Sequence, residues 1–440
     1  MKVQVSKGAK AEVTVYLSLV FVLLITLIGA LIESASLQTQ KNYKRISVNH
    51  SMECAFAEYQ KELLEEYEVF ALEGTYETGR YSEKQLFERL DYYGAGNIKH
   101  EIERIQFLSD NYGEAFYEQI VLYMEHKYGL SMFQNQIGVT ELWKQQEKKS
   151  EEYVKTEEEY PVSYMDELKK WSALNLVMPE GRSVSEKSID LSETLERRNK
   201  NKGYGDFSDE AKDVGTVSKL LFVQYLLDHF EAAVDEKGNV LEYELEYLIG
   251  GKQSDRENLK AVVNKLLLFR FVSNYVYLQG NAQKKAEVEA MALTISAALA
   301  VPMAAEAVAQ MLLATWAYGE AMMDIRSLLD GGKVPLTKND ASWQLSLSGL
   351  IELKDSGKLE DGSNTKDGLE YKEYLRILLF LQEKETITMR ALTLVELNLQ
   401  KIHGLEFFKA DYCISKIEIH STCSLRRGIT YEFSTYYGYN

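Results

Sequence analysis

The hydrophobic pattern of the chain begins with one unbroken apolar stretch. Residues 13–32 (VTVYLSLVFVLLITLIGALI) carry no charge and are bounded by Glu12 and Glu33. As a helix, 20 residues span about 30 Å, the hydrocarbon thickness of a bilayer. The stretch therefore predicts a transmembrane helix. A secretory signal cleaved near Ala30 or residues 34–36 is the alternative, because small residues occur there.

A second, amphipathic pattern comes directly after the apolar stretch. Apolar residues recur at three- and four-residue steps from Met52 to Phe70, with Glu and Lys between them. Neither Pro nor Gly occurs between Ala30 and Gly74, which supplies a stop signal. The pattern predicts helix throughout 33–72, so that the membrane helix continues into one long rod.

Two further regions have a helical period. Residues 98–130 show three- and four-residue spacing of apolar positions, and residues 214–330 contain the longest such pattern. Ser254 or Asp255 is placed to cap a helix that runs through Leu278. We expect 214–330 to supply the hydrophobic core.

Residues 290–319 contain a single charge, Glu306. A second membrane hairpin is therefore one interpretation, and a pair of buried helices in a folded domain is the other. The Ala-rich composition and the central carboxylate favour the buried helices, because a charge facing lipid is costly. Pro302 suits the first turn of a new helix.

The pattern changes period near the C-terminal end. Residues 411–420 and 429–437 alternate between apolar and polar positions, and residues 426–428 can form the turn between them. This predicts a β-hairpin. Because a lone hairpin is marginally stable, we expect helices to cover it or a third strand to pair with it.

Together these patterns predict an α+β, predominantly helical fold with an N-terminal transmembrane helix, a helical ectodomain and a small C-terminal β element. Few prolines, 4 in 440 residues, agree with a helical chain. The predicted organisation is a basic leader (1–12), a transmembrane helix (13–32), a helical stalk and first ectodomain part (33–178), a loop or insert (179–205), a helical core (206–403) and the β element (404–440).

The charge of the chain excludes one class of partner. Lys and Arg number 50 and Asp and Glu number 67, which gives a net charge of −17. A field of that sign repels phosphate backbones, so we expect no nucleic-acid partner. The three cysteines are too few for a disulfide framework and are expected to be free thiols.

Motifs for chemistry are scarce. The six histidines are scattered, and the sequence has no HExxH, C-x-x-C, G-x-S-x-G or P-loop pattern. We therefore expect no metal, no cofactor and no catalytic residue, and a protein that is not an enzyme.

One group of charged residues interrupts the apolar core. Glu320 and Asp324 lie one helical turn apart, so they share a helix face. Paired carboxylates can do acid–base chemistry when burial raises a pKa. The alternative is an Arg–carboxylate network that fixes helix packing, which we favour because no nucleophile or metal motif accompanies it. The members of this polar cluster are Arg270, Glu306, Glu320, Asp324 and Arg326.

The first residues resemble a type IV prepilin segment. A short basic leader ends at Gly8, Ala9 comes next, and the acidic Glu12 precedes the apolar helix. The resemblance implies cleavage after Gly8 by a prepilin peptidase. In prepilins the acidic residue is usually fifth after the glycine, whereas Glu12 is fourth. An uncleaved signal anchor therefore remains the other interpretation.

Three further stretches resemble an uncharacterised family of Gram-positive membrane proteins associated with tight-adherence (Tad/Flp) pilus systems. They are 254–278, 312–338 and 371–398. The resemblance implies a membrane-anchored, non-enzymatic component of such a pilus or a secretion-like surface system, for example a large minor pseudopilin or an assembly protein. Its partners would be the membrane, other pilus or pseudopilin-like subunits and assembly machinery. The alternatives are a signal-anchored extracellular scaffold or binding protein unrelated to pili and, third, an anchored hydrolase.

The orientation of the anchor is inferred from its flanks. The lysines nearest to the apolar stretch lie on its N-terminal side, and a long C-terminal domain is translocated largely regardless of its charge. We expect a single-pass protein of the cell membrane, with a cytoplasmic N-terminus and residues 33–440 outside.

Overall fold

The computed structural model describes residues 7–129, 173–195, 197–198, 202–207, 215–235, 239–350 and 368–439, with the backbone alone for 7–12, Ala173 and Glu193. The fold is α+β and predominantly helical, as predicted. Its helices are α1 (Lys7–Phe56), α2 (Lys61–Tyr67), α3 (Glu83–Leu90), α4 (Asp110–Tyr128), α5 (Ala173–Val177), α6 (Thr216–His229), α7 (Glu244–Gly250), α8 (Asp255–Gly280), α9 (Ala282–Ala298), α10 (Ala305–Leu329), α11 (Tyr371–Leu381) and α12 (Lys384–Lys401). Its strands are β1 (Leu72–Glu73), β2 (Lys99–Phe107), β3 (Cys413–Ser424) and β4 (Thr430–Gly438).

Helix α1 changes its surroundings along its length. The large apolar side chains of 13–32 expose between 49% (Leu24) and 70% (Tyr16), apart from Val20, which is partly exposed. Further along the helix, Val48 and Met52 are buried against the rest of the protein. One helix therefore has a bare apolar first part and a packed second part.

The predicted rod over 33–72 is wrong at its far end, because α1 stops at Phe56. There the hydroxyl of Tyr439 donates a hydrogen bond to the carbonyl oxygen of Phe56. The ring of Phe56 packs 4.5 Å from that of Tyr437. The Gln60 N–H then donates to the carbonyl of Ala71 at 2.9 Å, so the chain turns back. The contacts of Tyr437 and Tyr439 come from the other end of the sequence, so local periodicity carries no information about them.

The predicted C-terminal hairpin is confirmed. Strands β3 and β4 pair antiparallel from Lys416–Gly438 to Ser424–Thr430. Strand β3 also pairs antiparallel with β2 on its other side and, at its start, with β1. The expected third strand is therefore present.

The third strand lies where the period of 98–130 predicted helix, so that prediction is wrong for residues 99–107. A bulge at Glu103 explains the error. Ile102 pairs with Ile419, and Ile105 pairs with Ile417. The step from one pair to the next is three residues along β2 but only two residues along β3. The extra residue keeps both isoleucines on one face and mimics helical spacing. The remainder of the region, from Asp110, is helix α4.

Within the described ranges, two hydrophobic clusters hold the fold together. The smaller one packs the second part of α1 and helix α3 against the sheet. The larger one contains the buried faces of the other long helices, from α4 to α12. The predicted cap of α8 is confirmed, because the Ser254 hydroxyl accepts from the Glu257 N–H at 3.4 Å.

The uncharged stretch 290–319 forms part of the helical hairpin α9–α10. Pro302 begins a short 3₁₀ turn just before α10, as expected. From Leu313 onward α10 is mostly buried, but α9 is mostly exposed. The prediction of buried helices is therefore wrong for the end of the hairpin. Its exposed apolar side chains, here called the apolar tip, are Leu293 (61%), Leu299 (67%), Val301 (52%) and Met303 (98%).

The predicted insert at 179–205 contains little regular structure where it is described. Its last part runs beside the edge of β2, where the Tyr204 N–H and C=O exchange hydrogen bonds with Ile105 at 3.0 and 2.9 Å. Gly203 is required there, because a β-carbon would lie 2.1 Å from Asp110 Oδ2. The Asp110 carboxylate accepts from the N–H groups of Lys202 and Gly203 and so fixes this segment.

Candidate functional site

Four ionisable side chains meet inside the helical core and define a charged quartet: Arg270, Glu320, Asp324 and Lys338. None of their side chains has any exposed surface. Helix α8 carries Arg270, and α10 packs against it with both carboxylates on one face. Lys338 lies in the segment that returns after Gly331, a left-handed residue with φ of 85°.

All three nitrogens of the Arg270 guanidinium donate hydrogen bonds. Its Nε donates to Asp324 Oδ2 at 2.9 Å, and one terminal nitrogen donates to the carbonyls of Pro335 and Leu336 at 2.8 and 3.0 Å. The other donates to the Asn274 side-chain oxygen at 3.3 Å. Burial alone would lower the pKa of Arg270, but the charge and hydrogen bond of Asp324, together with Tyr374 and Glu320, outweigh it, so the pKa lies above its usual value.

Lys338 bridges the two carboxylates. Its ammonium donates to Glu320 Oε1 at 2.5 Å and to the carbonyl of Ser342 at 2.8 Å. It also lies 2.7 Å from Asp324 Oδ1. That oxygen lies outside hydrogen-bonding angles, so this last contact is an ion pair without a hydrogen bond.

Glu320 is held by the backbone as well as by Lys338. The N–H of Gln344 donates to its Oε1 at 2.9 Å, and the N–H of Leu345 donates to its Oε2 at 2.7 Å. Burial raises the pKa of Glu320, and the charge of Lys338 opposes that rise without cancelling it.

The quartet is electrically balanced, with two cations and two carboxylates. Each carboxylate contacts a cation, and the remaining donors bond to backbone carbonyls and to neutral side chains. A buried charge pair with such partners is costly to break and gains little from solvent. Because no side chain of the quartet reaches the surface, this arrangement joins α8, α10 and the segment 333–345 and presents no atom to a substrate.

The structure brings together three of the five residues predicted as a polar cluster. Arg270, Glu320 and Asp324 form the quartet with Lys338. Glu306 does not belong to it, because it is exposed near the start of α10 and lies 14 residues, about 21 Å along the helix, from Glu320. Arg326 is 8% exposed on the same helix as Glu320.

Lys338 is the member that the sequence pattern did not indicate. It lies outside any helix, near Gly331 and Gly332, where composition signals a surface turn. A single Lys in a short loop is ordinarily solvated. The one available signal was chemical: two carboxylates at four-residue spacing in an apolar helix need more than one cation.

A second pair of buried carboxyls shows a different environment. Glu244 and Glu246 on α7 have no exposed surface. Among the described residues, Glu244 accepts from the side-chain amides of Asn398 and Asn239, at 2.6 and 2.8 Å. Glu246 accepts from the hydroxyl of Tyr371 at 2.8 Å. Because these partners are neutral, burial raises the pKa of each carboxyl to about 7.

Metal-ligating groups do not cluster within the described ranges, where no set of three His, Cys, Asp or Glu side chains could hold an ion. Cys54, Cys413 and Cys423 are free thiols. Burial raises the pKa of the Cys413 thiol well above its usual value, which leaves it protonated and unreactive.

The predicted processing residues lie at the start of α1. The backbone of Gly8, Ala9 and Glu12 is helical, and their side chains lie outside what the structure describes. Among the described residues one helix is long and apolar enough to cross a membrane, the part of α1 from Val13 to Phe56.

Comparison with known proteins places the helical core in a family. The family of unknown function DUF5702 matches residues 151–425, more than half of the chain. The chain belongs to this family. No curated protein and no solved structure matches the chain. The matched part of the DUF5702 chain contains the quartet, the α9–α10 hairpin and strand β3, whereas α1 and β4 lie outside it.

Proposed function

We propose that the protein is a membrane-anchored, non-enzymatic component of a Tad/Flp-type pilus or a secretion-like surface system, as a large minor pseudopilin or an assembly protein. Its N-terminus lies in the cytoplasm and the folded part of the chain outside. The observation that carries the membrane-anchored part of this proposal is the bare apolar part of α1, residues 13–32, which no other described part of the protein covers.

The connection between anchor and folded body supports the same proposal. Helix α1 is continuous from Lys7 to Phe56 without a hinge, and its second part is buried against the sheet. A movement of the apolar part is therefore transmitted to the body as a rigid unit. Such a rigid connection suits a subunit that assembles through its membrane helix. An enzyme that is only tethered to the membrane would be better served by a flexible linker.

The quartet supports a non-enzymatic role. Its four charged groups pair with one another and with backbone groups, and these contacts hold α8 and α10 together. Catalytic carboxylates need access to a substrate, and these side chains have none. Glu244 and Glu246 have raised pKa values but are equally enclosed.

The pilus proposal rests on the prepilin-like segment, and two experiments test it. If Gly8 precedes the cleavage site, the mature chain begins at Ala9, and intact mass shows this. Cleavage should disappear in Gly8→Val. Loss of the leader also frees an α-amino group that can pair with Glu12 of a neighbouring subunit, where an unpaired carboxylate is costly. A mature chain that keeps Met1 or Lys2 beside an active prepilin peptidase contradicts the proposal.

A photo-crosslinking amino acid placed along α1 tests assembly directly. At Leu24, 49% exposed, we expect crosslinks to pilin-like subunits in cells that express the pilus machinery. At Met52, 1% exposed on the same helix, we expect none, which makes it the matched control. Leu24 crosslinks that persist unchanged when the pilus operon is deleted would contradict the pilus role.

One observation favours a second candidate, an anchored scaffold or binding protein unrelated to pili. The apolar tip exposes large side chains on a helical hairpin inside the family-matched region. If this candidate is right, a crosslinker at Met303 captures a protein partner, while crosslinks from Leu24 contain no pilin-like subunit. Crosslinks from Leu24 to pilin-like subunits decide for the pilus.

A further inference from the structure

Strand β4 runs along the second part of α1 in a fixed register. Arg427, in the β3–β4 turn, forms an ion pair with Glu33. Further along, the Lys41 ammonium lies 5.1 Å from the ring centre of Tyr431. The Thr435 hydroxyl donates to the Asn49 side chain at 3.2 Å. The Tyr439 hydroxyl bonds to the carbonyl of Phe56 at the end of α1.

The spacing of these four contacts matches the two backbones. Along α1 they are eight, eight and seven residues apart, or about 12 Å per step at the helical rise. Along the C-terminal segment they are four residues apart, or about 14 Å at the strand rise. Helix and strand therefore run side by side in the same direction over more than 30 Å.

This register sets the position of the β3–β4 turn along the axis of α1. Glu33 comes directly after Ile32, the last residue of the apolar stretch, and so marks the level where α1 would leave the hydrocarbon. Because Arg427 pairs with Glu33, the turn lies at the same level. Tyr439, the residue that follows β4, lies about 35 Å further along α1.

The turn has the composition of a membrane-facing loop. Arg426, Arg427 and Ile429 are exposed, whereas Leu425 is buried in the sheet cluster. Arg427 keeps 76% of its side chain exposed despite its pair with Glu33. Two guanidinium groups against one carboxylate leave an excess positive charge. Arginine binds phosphate oxygens in a bidentate manner, and an apolar neighbour can enter the interface.

We propose that the β3–β4 turn, through Arg426 and Arg427, binds the phosphate groups of anionic phospholipids at the membrane surface from which α1 emerges. The contact rests on the proposed anchor function of α1, and it would fix the tilt of the whole body relative to the membrane. The net charge of −17 makes this local attraction necessary, because the body as a whole is repelled by an anionic surface.

The test uses the full chain reconstituted in vesicles, with the half-exposed Cys54 replaced by Ser and the buried Cys413 and Cys423 retained. A fluorophore is attached at Ile429→Cys and, as a matched control, at Lys61→Cys just beyond the far end of α1. The Lys61 side chain is 70% exposed. The vesicles contain a quencher on the lipid headgroup, in phosphatidylcholine with or without phosphatidylglycerol.

We expect strong quenching at residue 429 and none at residue 61, with a further increase when phosphatidylglycerol is present. Arg426→Gln, which keeps the Arg427–Glu33 pair, should remove that increase. High salt should remove it as well, because the electrostatic screening length falls from about 10 Å at 0.1 M salt to about 3 Å at 1 M. Removing two distant cations, Lys61→Gln with Lys401→Gln, should leave quenching at 429 unchanged.

Each other outcome decides against the proposal. Equal quenching at residues 429 and 61 contradicts the position of the turn. Quenching at 429 that ignores phosphatidylglycerol and Arg426→Gln contradicts phosphate recognition. Resistance to alkaline carbonate extraction is measured on the same vesicles and reports the anchor alone. If the chain is extracted, the proposed anchor fails as well, whereas a retained chain with an unquenched residue 429 contradicts only the turn.

Discussion

Two long stretches of this protein are nearly free of charge and end in different surroundings. Residues 13–32 form a bare helix whose side chains no part of the described structure covers. Residues 290–319 enter the α9–α10 hairpin, and from Leu313 onward α10 is mostly buried in the core. Both are nearly free of charge, so the number of charged residues alone does not separate them, although among the described residues only the first lies in a helix long and apolar enough to cross a membrane.

The two stretches differ in the charged residues that lie just after them. Beyond 290–319, α10 places Glu320 and Asp324 where Arg270 and Lys338 can neutralise them. These cations are present only in the folded body, so the two carboxylates favour a position of α10 inside the protein over one in lipid. The 13–32 stretch has no charge to satisfy and needs only lipid or other helices. A few charged positions with the right partners therefore decide the surroundings of an apolar helix.

The largest expected effect comes from unbalancing the quartet. Lys338→Met should lower the free energy of unfolding by about 3–5 kcal/mol, because it leaves Glu320 buried without a cation. Lys333→Met is the control, since its side chain is 44% exposed and its surface pair with Glu370 should contribute little to the free energy of unfolding. Denaturant unfolding in mild detergent measures both. Equal losses in the two variants would show that the quartet does not hold α10 in the core.

A smaller effect concerns buried carboxyls that lack a cation. Glu246 has a pKa of about 7 when folded and its ordinary value of 4.5 when unfolded. Between these values the folded state holds a proton that the unfolded state releases, so the free energy of unfolding falls as the pH rises from about 4.5 to about 7. The Glu246 part is on the order of 3 kcal/mol.

Glu246→Gln should reduce this pH dependence, because the amide resembles the protonated acid and still accepts from Tyr371, while Glu244, whose pKa is also about 7, keeps its own part. Glu242→Gln, an exposed neighbour whose side chain is 39% accessible, should leave the slope unchanged. Unfolding curves at several pH values measure the slope. A slope as steep in Glu246→Gln as in the parent would place the titration on another group.

The smallest expected effect is at the apolar tip. Met303→Ser should change the free energy of unfolding by less than about 0.5 kcal/mol, because the Met303 side chain is 98% exposed. Met322→Ser, at a fully buried position of the same hairpin, should cost several times more, about 2–5 kcal/mol. A large loss in Met303→Ser would mean that the tip is covered in the folded protein.

Much of the fold can be derived from local pattern. The uncharged stretch 13–32, the Ser254 cap and the alternation of the C-terminal hairpin were sufficient to predict α1, α8 and the β3–β4 pair. The wrong predictions concern features that are determined by pairing with residues distant in the sequence. Helix α1 ends at Phe56 because Tyr439 caps it, and the bulge at Glu103 gives strand β2 a helical spacing.

The candidate cluster was predicted only in part for a similar reason. Glu320 and Asp324 share a helix face, which sequence spacing shows, and Arg270 interrupts an apolar run. Glu306 belongs to the same helix but lies too far along it, and Lys338 arrives from a loop. Position on a helix can be derived from sequence, whereas the placement of a returning loop depends on packing that no local pattern encodes.

Membrane partition of two forms of the chain tests the central claim most directly. The full chain and a form that begins at Glu33 are expressed side by side, and membranes are extracted at alkaline pH. We expect the full chain to stay in the membrane and the shorter form to be soluble and to unfold cooperatively, because α10 is held by the quartet. A shorter form that still needs detergent would place residues 290–319 in the membrane and contradict the role of the quartet in holding α10 within the folded body.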